Sequence, residues 1–348
     1  MLALQAITPR QLAEGAAIPI EEARKVIAMV HRGEPVRASA AVRRTSAEAV
    51  RAIAHVPGLA VVAETASAID PFVKYLCESE GDRFETVRIP LQHEGRYTAC
   101  VSSQVGCALA CAFCATGRMG LRRNLEAWEI VEQVRVVRAR LPAGRVHGVV
   151  FQGMGEPMAN LDAVLDAISV MTEPCALGID ARAITVCTSG LPSGIRRLAT
   201  AQPNVRLGLS MSSALETNRK RVMPIADRHT LDDVLDACVF HARTTKLSPM
   251  WAVTLLDGVN DSDADAQALA ARVAEFATAT GRRPRISIVA YNAIAAQSDV
   301  PTEPEPFKRS TREAAFRAVL SAAGLPSHRR YSGGSDVGAA CGQLANTL

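Results

Sequence analysis

The pattern of apolar and polar positions divides the chain into a helical beginning and a longer mixed part. In the first 70 or so residues, apolar positions recur at helical spacing and predict helices that open at Pro9 and run over Ile20–Val30 and Ser46–Ala54. This part contains no cluster of reactive side chains. We therefore expect an N-terminal helical accessory domain over residues 1–72.

Two extended runs come next, over residues 72–79 and 84–90, and they flank a Glu80–Gly81–Asp82 segment. Two strand-like runs around a short turn of this kind are typical of a β-hairpin. We expect a β-hairpin linker over residues 73–97, followed by the main domain over residues 98–348.

From Thr98 onward, short apolar runs alternate with amphipathic helical stretches. The strand-like runs lie at about 98–102, 147–151, 183–187, 205–210, 250–256 and 285–289, and the helices between them include 126–140, 161–171 and 231–245. Such βα units imply a parallel sheet with right-handed crossovers. The predicted fold class is α/β, with a partial (β/α)6 TIM-like barrel whose reacting residues follow the carboxyl ends of the strands.

Composition narrows the range of functions only slightly. The chain has 348 residues and a net charge of +4, which permits an anionic partner without demonstrating one. Aromatic residues make up 4%, so stacking platforms for bases are not expected. The chain starts without a signal-like segment and has no apolar stretch of membrane-spanning length. We expect a cytoplasmic protein, in which grouped cysteines indicate metal binding or catalysis.

Three cysteines after the first predicted strand form the most informative group. Cys107, Cys111 and Cys114 have the spacing C-x3-C-x2-C. Three thiolates can hold three irons of a [4Fe–4S] cluster and leave the fourth iron open, whereas electron-transfer clusters use four cysteines. A tetrahedral zinc site is the alternative, but it requires a fourth ligand, and the nearest downstream histidine, His147, lies on another predicted element.

A glycine-rich turn follows the second predicted strand and reads Gly153–Met154–Gly155–Glu156–Pro157. Its glycines let the backbone approach a ligand amine closely, and the Glu156 carboxylate can accept a hydrogen bond from a cation. Taken alone, the segment could be a tight turn capped by Glu156. Beside an open iron, it suggests a site for S-adenosylmethionine, whose amino and carboxylate groups can chelate that iron.

Two further cysteines differ from ordinary buried thiols. Cys100 lies seven residues before the first cysteine of the triplet, and Cys341 lies in a glycine-rich segment near the C-terminus. A small buried thiol is the usual role of a lone cysteine. That interpretation suits Cys77, Cys175 and Cys238 better than a cysteine surrounded by glycines.

Six motifs in order give the chain a specific resemblance between about Lys74 and Leu344. They are FETVRIP, CVSSQVGCALACAFCATG, GMGEP, RVMPI, LLDGVND and AACGQL. With them the chain resembles the RlmN/Cfr family of radical S-adenosylmethionine RNA methyltransferases. The resemblance implies a radical S-adenosylmethionine barrel and methylation of an adenosine ring carbon, C2 or C8, in 23S ribosomal RNA or transfer RNA.

The resemblance also implies a two-step reaction that uses two S-adenosylmethionine molecules per turnover. Cys341 would first be methylated, and a radical generated at the cluster held by Cys107, Cys111 and Cys114 would then take a hydrogen from that methyl group. The resulting carbon radical would add to the adenine ring. Cys100 would deprotonate the adduct and form a transient disulfide with Cys341, which releases the product.

The resemblance carries further residues into the site. It implies a proton acceptor at Glu85, for which a structural strand-edge carboxylate is the alternative. It implies cofactor contacts at six positions: Gly155, Glu156, Cys187, Ser210, Ser212 and Asn292. Two of them depart from the family pattern, because Cys187 replaces a serine and Ser212 replaces a histidine. A thiol is a poorer hydrogen-bond partner than a hydroxyl group.

Three hypotheses follow for the function. The first is an RNA methyltransferase that acts as a monomer and receives electrons from a donor such as flavodoxin. The second is a related radical enzyme that methylates a small molecule or peptide. The third is a non-enzymatic iron–sulfur sensor or RNA-binding protein, against which the six strand-end motifs and the pair of Cys100 and Cys341 argue.

Overall fold

The computed structural model describes residues 1–294 and 305–345. Strands and helices alternate through most of this length. The strands are β1 Leu2–Ala3, β2 Ala54–His55, β3 Ala60–Ala66, β4 Val73–Ser79, β5 Asp82–Pro90, β6 Arg96–Val101, β7 Gln104–Gly106, β8 Leu121–Asn124, β9 Arg145–Phe151, β10 Ile184–Thr188, β11 Arg206–Ser210, β12 Met250–Leu255, β13 Arg285–Ala290 and β14 Ser327–Arg330. The helices are α1 Pro9–Ala16, α2 Ile20–His31, α3 Arg44–Ile53, α4 Ala115–Arg118, α5 Ala127–Ala139, α6 Leu161–Thr172, α7 Pro192–Ala201, α8 Glu216–Val222, α9 Leu231–Thr245, α10 Asp263–Thr280 and α11 Glu313–Ala322.

The three predicted N-terminal helices are confirmed as α1, α2 and α3. Helix α1 begins where Thr8 and Gln11 cap each other reciprocally and where Pro9 occupies the first turn, which suits a residue without an N–H donor. The apolar faces of the helices form a small core of their own, with Leu12, Val26 and Ile27 fully buried.

The prediction that residues 1–72 are helical is wrong for Ala60–Ala66, which forms strand β3 and pairs with β4 in antiparallel fashion. Its residues alternate between exposed and half-buried positions, as in an edge strand with one packed face. The segment is rich in alanine, so its sequence does not show the alternation of apolar and polar residues that predicts a strand.

The predicted hairpin is confirmed as strands β4 and β5. Ser79 pairs with Asp82, and both Glu80 and Gly81 between them have positive φ angles, as a two-residue hairpin turn requires. The hairpin is not a separate linker, because β5 also pairs with β6 in the main sheet. The sheet extends across both boundaries between the three predicted domain ranges. The ranges themselves stay predictions.

A single ten-stranded sheet organises the molecule, with the order β14-β13-β12-β11-β10-β9-β6-β5-β4-β3. All six predicted parallel strands are confirmed, as are the helices predicted over 126–140, 161–171 and 231–245. A seventh parallel strand, β14, was not predicted, because its sequence Ser-His-Arg-Arg has no apolar run. The observed fold is the expected mixed α/β fold with an open, partial barrel.

Helices cover the sheet and bury a large core that includes Phe151, Leu207, Trp251 and Ile286. Side chains near the carboxyl ends of the seven parallel strands meet around one cavity, so the sheet curves around this space. Within residues 1–294 and 305–345, the structure contains no helix that is both long and apolar enough to span a membrane.

Candidate active site

A cavity of about 220 Å³ lies at the carboxyl ends of the parallel strands. It brings together all but one of the residues proposed from the sequence. The proposed residues that line the cavity are Cys100, Cys107, Cys111, Cys114, Gly155, Glu156, Cys187, Ser210, Ser212, Asn292 and Cys341. The remaining residue, Glu85, does not line the cavity. Convergence from so many strand ends is what a βα barrel imposes on residues that follow its strands.

The cysteine loop is framed by strands β7 and β8, which pair in antiparallel fashion. The Cys107 N–H donates to the Gly120 carbonyl at 2.9 Å, and the Cys114 N–H donates to the Cys111 carbonyl at 3.1 Å. Gly106 has a φ of 75°, and a side chain there would begin 1.8 Å from the Gly120 oxygen. Only glycine allows the loop to close this tightly.

Of the three cysteines in this loop, Cys111 is buried, and Cys107 and Cys114 are half-buried. Burial raises the pKa of Cys107 and of Cys111 to about 12, and negative charge on Cys114 adds to the rise. Such thiols become thiolates only where positive charge compensates them, as in metal ligation. A structural zinc site is closed by four protein ligands, whereas this loop supplies three thiols. The three-thiol donor set therefore fits a cluster with an open iron better than a structural zinc ion.

Glu156 joins two of the strand-end loops. One carboxylate oxygen accepts from the Met158 N–H at 3.0 Å, and the other accepts from the Ser189 N–H at 2.8 Å. The carboxylate therefore caps the turn after β9, which was the alternative interpretation of the sequence, and it also holds the loop after β10. Burial raises the pKa of Glu156, although these hydrogen bonds oppose the rise.

Arg219 is a fully buried cation that sequence reasoning missed. Its guanidinium donates to the Ser189 and Met211 carbonyls, both at 2.7 Å, and to the Ser210 carbonyl at 3.3 Å. It therefore fixes the loops after β10 and β11 behind the cavity. Nothing in the sequence distinguished this arginine, because it begins a run of basic residues that reads as a solvated face.

The C-terminal segment is tied directly to the cysteine loop. The Ala115 N–H donates to the Gly342 carbonyl at 2.7 Å, and the Thr116 hydroxyl donates to the Leu344 carbonyl at 2.6 Å. Asn292 donates from Nδ2 to the Cys341 carbonyl at 3.0 Å. The expectation that Cys341 lies near the triplet is thus met, and Asn292 contacts the Cys341 segment.

Three thiols outside the triplet share the cavity: Cys100, Cys187 and Cys341. Burial raises the pKa of Cys100 above its usual range and that of Cys187 to about 12. All nine cysteines are free thiols, so the structure contains no Cys100–Cys341 disulfide. The cavity has the thiols that such a bond would require.

Glu85 lies on β5 in a different environment from the one expected for a proton acceptor. Its carboxylate pairs with Lys74 Nζ at 2.8 Å, and both side chains are buried. The other carboxylate oxygen accepts from the Ala345 N–H at 2.9 Å. Glu85 therefore contacts the end of the C-terminal segment and lies outside the cavity lining.

Comparisons with known proteins agree with this geometry. Residues 101–267 match the model of the radical SAM superfamily. A probable RNA methyltransferase of Sorangium cellulosum is 56% identical over 97% of this chain and 90% of its own length. A probable dual-specificity RNA methyltransferase RlmN of Moorella thermoacetica is 33% identical over 98% of this chain and 96% of its own. The crystal structure of a radical SAM methyltransferase from Sphaerobacter thermophilus covers both chains completely, with 33% identity and a TM-score of 0.86.

The fold and the cavity define a radical S-adenosylmethionine enzyme. More narrowly, the chain belongs to the RlmN-type family of RNA methyltransferases, and it is an S-adenosylmethionine-dependent methyltransferase. The family implies a [4Fe–4S] cluster and S-adenosylmethionine as cofactors, and it implies RNA as the substrate class.

Proposed function

We propose that this enzyme transfers one methyl group to a ring carbon of an adenosine in RNA. The carbon is C2, with C8 as the second candidate, and the RNA is 23S ribosomal RNA or transfer RNA. The observation that supports this most is the position of Cys341 in one cavity with Cys100 and the cysteine triplet. Adenine C2 and C8 are not nucleophilic, so methylation there requires a route other than polar transfer.

Cys341 carries the methyl group in this proposal, and Cys100 releases the product. The Cys341 sulfur accepts a methyl group from one S-adenosylmethionine, and a second molecule is consumed in activating it. The cluster, when bound by Cys107, Cys111 and Cys114, supplies the electron for that activation. Cys100, as a thiolate, then takes the ring proton from the adduct, and its sulfur bonds to that of Cys341 while the sulfur–carbon bond to the RNA breaks. The proton passes to the released carbon and completes the methyl group, and the one surplus electron of the radical adduct returns to the electron donor.

The remaining cavity residues would hold S-adenosylmethionine. Gly155, Ser210 and Ser212 present backbone or hydroxyl groups, and Cys187 replaces a hydroxyl with a thiol. Glu156 and Asn292 contribute by holding neighbouring segments in place: Glu156 holds the loop after β10, and Asn292 holds the C-terminal segment. We also propose a monomeric enzyme in the cytoplasm and a one-electron donor such as flavodoxin.

The substrate is tested by comparing RNA from a wild-type strain with RNA from a strain that lacks this gene. We expect one methyladenosine in ribosomal or transfer RNA to be absent from the deletion strain and to return with the wild-type gene. Digestion and mass spectrometry measure this change, and synthetic 2-methyladenosine and 8-methyladenosine standards assign the carbon. Unchanged RNA, together with the loss of a methylated peptide or small molecule, would contradict the proposal.

We propose that Glu85 positions the C-terminal segment and does not accept the substrate proton. In the double substitution Lys74→Met and Glu85→Gln, a carbonyl oxygen can still accept from the Ala345 N–H, and no buried charge remains unpaired. We expect this variant to keep RNA methylation within about threefold of wild type. Glu85→Ala alone leaves Lys74 buried without its partner and should lower the free energy of unfolding by about 3–5 kcal/mol.

The measurements for this prediction are methylation rates with saturating RNA and urea unfolding of each variant. Lys74→Met alone serves as the matched control, because it leaves the carboxylate in place but buried without its cation. A folded double variant that has lost methylation would identify Glu85 as the proton acceptor instead.

A further inference from the structure

Tyr331 is an exposed aromatic residue at the mouth of the cavity. It directly follows β14, the seventh parallel strand, and it lines the cavity together with Cys341. Its side chain is 68% exposed. Among the residues that the structure describes, every other aromatic side chain is buried or half-buried. The Tyr331 ring is therefore free to be covered by a ligand that enters the cavity.

The hydroxyl end of this tyrosine is already bound. It donates to Asp70 Oδ2 at 2.7 Å, and the Gly334 N–H donates to the same oxygen at 2.8 Å. The ring also meets the Phe72 ring in an edge-to-face arrangement, with 6.0 Å between the two centroids. Because the hydroxyl group has its partner, the exposed area of Tyr331 is mostly ring, and these contacts hold the ring in one orientation.

The segment that carries Tyr331 packs closely on the loop between β3 and β4, residues 67–72. A side chain at Gly333 would begin 2.5 Å from the Phe72 ring, so the two segments approach each other as only glycine allows. The Asp336 carboxylate also accepts from the Ala68 N–H at 2.8 Å. The mouth of the cavity is therefore a preorganised support, which reduces the entropy that a ligand loses on binding.

A flat ring held in one orientation suits a nucleobase. Aromatic side chains bind unpaired RNA bases by stacking, and stacking accepts every base because each has a π-face. An enzyme that modifies a base carbon first turns that base out of its stack. Cys341 is half-buried in the cavity and Tyr331 is at its exposed mouth, so the target base goes past the ring. The neighbouring base then loses a stacking partner beside Tyr331.

We propose that the ring of Tyr331 stacks on the RNA base next to the target adenosine and replaces the partner which that base has lost. This inference rests on the proposed function and adds a residue that binds the substrate. The low aromatic content of the chain predicts no stacking platform, but a single exposed ring suffices for one base.

The first test measures binding without S-adenosylmethionine, so that no reaction is needed. The probe is fluorescein-labelled oligoadenylate, added to anaerobic protein that retains its cluster, and fluorescence anisotropy gives the Kd. We expect Tyr331→Leu to weaken binding about tenfold, because leucine is apolar but offers no ring for stacking. Tyr331→Phe keeps the ring and should bind within about threefold of wild type.

The phenylalanine variant separates stacking from a structural role. It loses the hydrogen bond to Asp70, so a side chain that only anchors the C-terminal segment would be impaired in Tyr331→Phe as much as in Tyr331→Leu. Displacement of that segment would move Cys341 and lower kcat, whereas loss of a base contact raises the KM for RNA. Ile69→Ala is the matched control, because it removes an exposed apolar side chain from the adjoining loop, outside the cavity lining, and should leave binding unchanged.

Tyr331→Trp gives a second measurement if the leucine variant does not retain iron. A base that stacks on the introduced indole quenches its fluorescence. We therefore expect oligoadenylate to lower the emission of this variant more than that of wild type, which contains Trp128 and Trp251.

Three results would overturn the proposal. The first is an equal Kd for wild type and Tyr331→Leu, or unquenched emission from Tyr331→Trp. The second is a wild-type protein that does not bind the oligonucleotide, because stacking on a base does not depend on sequence. The third is unchanged oligoadenylate binding together with weaker binding of S-adenosylmethionine, which would assign the ring to the adenine of the cofactor.

The outcome is separable from that of the proposed function. Oligoadenylate binding requires no methyl transfer, so weaker binding by Tyr331→Leu would stand even if no RNA were methylated. Conversely, RNA methylation by Tyr331→Leu with an unchanged KM would support the function and contradict the stacking role.

Discussion

Replacing Cys341 by serine is expected to abolish RNA methylation while iron binding and cleavage of S-adenosylmethionine persist. A serine hydroxyl is a far weaker nucleophile toward a sulfonium methyl group than a thiolate, and it cannot form the disulfide that releases the product. We expect methyl transfer to fall by about a thousandfold or more. The measurements are methylated RNA, iron content and 5′-deoxyadenosine formation from the same preparation.

Cys175→Ser is the control for this variant, because Cys175 lies outside the cavity and packs beside the N-terminal helices. It should methylate RNA like the wild type. A Cys341→Ser enzyme that still methylated RNA at a substantial rate would remove Cys341 from the mechanism. Loss of iron from that variant would instead mean that the C-terminal segment is needed to hold the cysteine loop in place.

Replacing Cys100 by alanine is expected to stop the reaction one step later and to trap RNA on the protein. Without the second thiol, the bond between the adduct and Cys341 has no partner to break it, so each enzyme performs a single turnover. We expect a covalent protein–RNA species that survives denaturation and disappears after nuclease treatment, leaving a nucleotide on the peptide that contains Cys341.

The matched control is the double substitution Cys100→Ala with Cys341→Ser, in which no adduct should form. Cys100 and Cys341 line the same cavity, and the double variant lacks both thiols. Any protein–RNA species that it still forms is therefore nonspecific crosslinking. Normal turnover by the Cys100→Ala enzyme would show that another group, such as Cys187, releases the product.

The sequence predicted the strands that carry apolar runs, and with them the placement of the site. The triplet after β6, the glycine turn after β9 and Asn292 after β13 lie where a parallel sheet brings strand ends together. Strands β3 and β14 were missed because one is rich in alanine and the other is polar. Their pairing depends on neighbouring strands and is not encoded in a local pattern.

The missed site residues have a common physical cause. Arg219 and Arg330 lie in runs of basic residues, and a charge run is ordinarily exposed. The tertiary structure decides which member of a run points inward: Arg219 is fully buried behind the cavity, and Arg330 lines the cavity. Similarly, the family resemblance implied a proton acceptor at Glu85, with a structural carboxylate as the alternative, and the contacts of Glu85 with Lys74 and Ala345 are visible only in the fold.

The most direct test of the central claim uses S-adenosylmethionine that carries a trideuterated methyl group. If Cys341 carries the methyl group and loses one hydrogen from it before transfer, the methyl group on the RNA contains two deuterium atoms. The peptide that contains Cys341 should also carry a trideuterated methyl group before RNA is added. A methylated RNA with three deuterium atoms, from an enzyme whose Cys341 stays unmodified, would contradict the account.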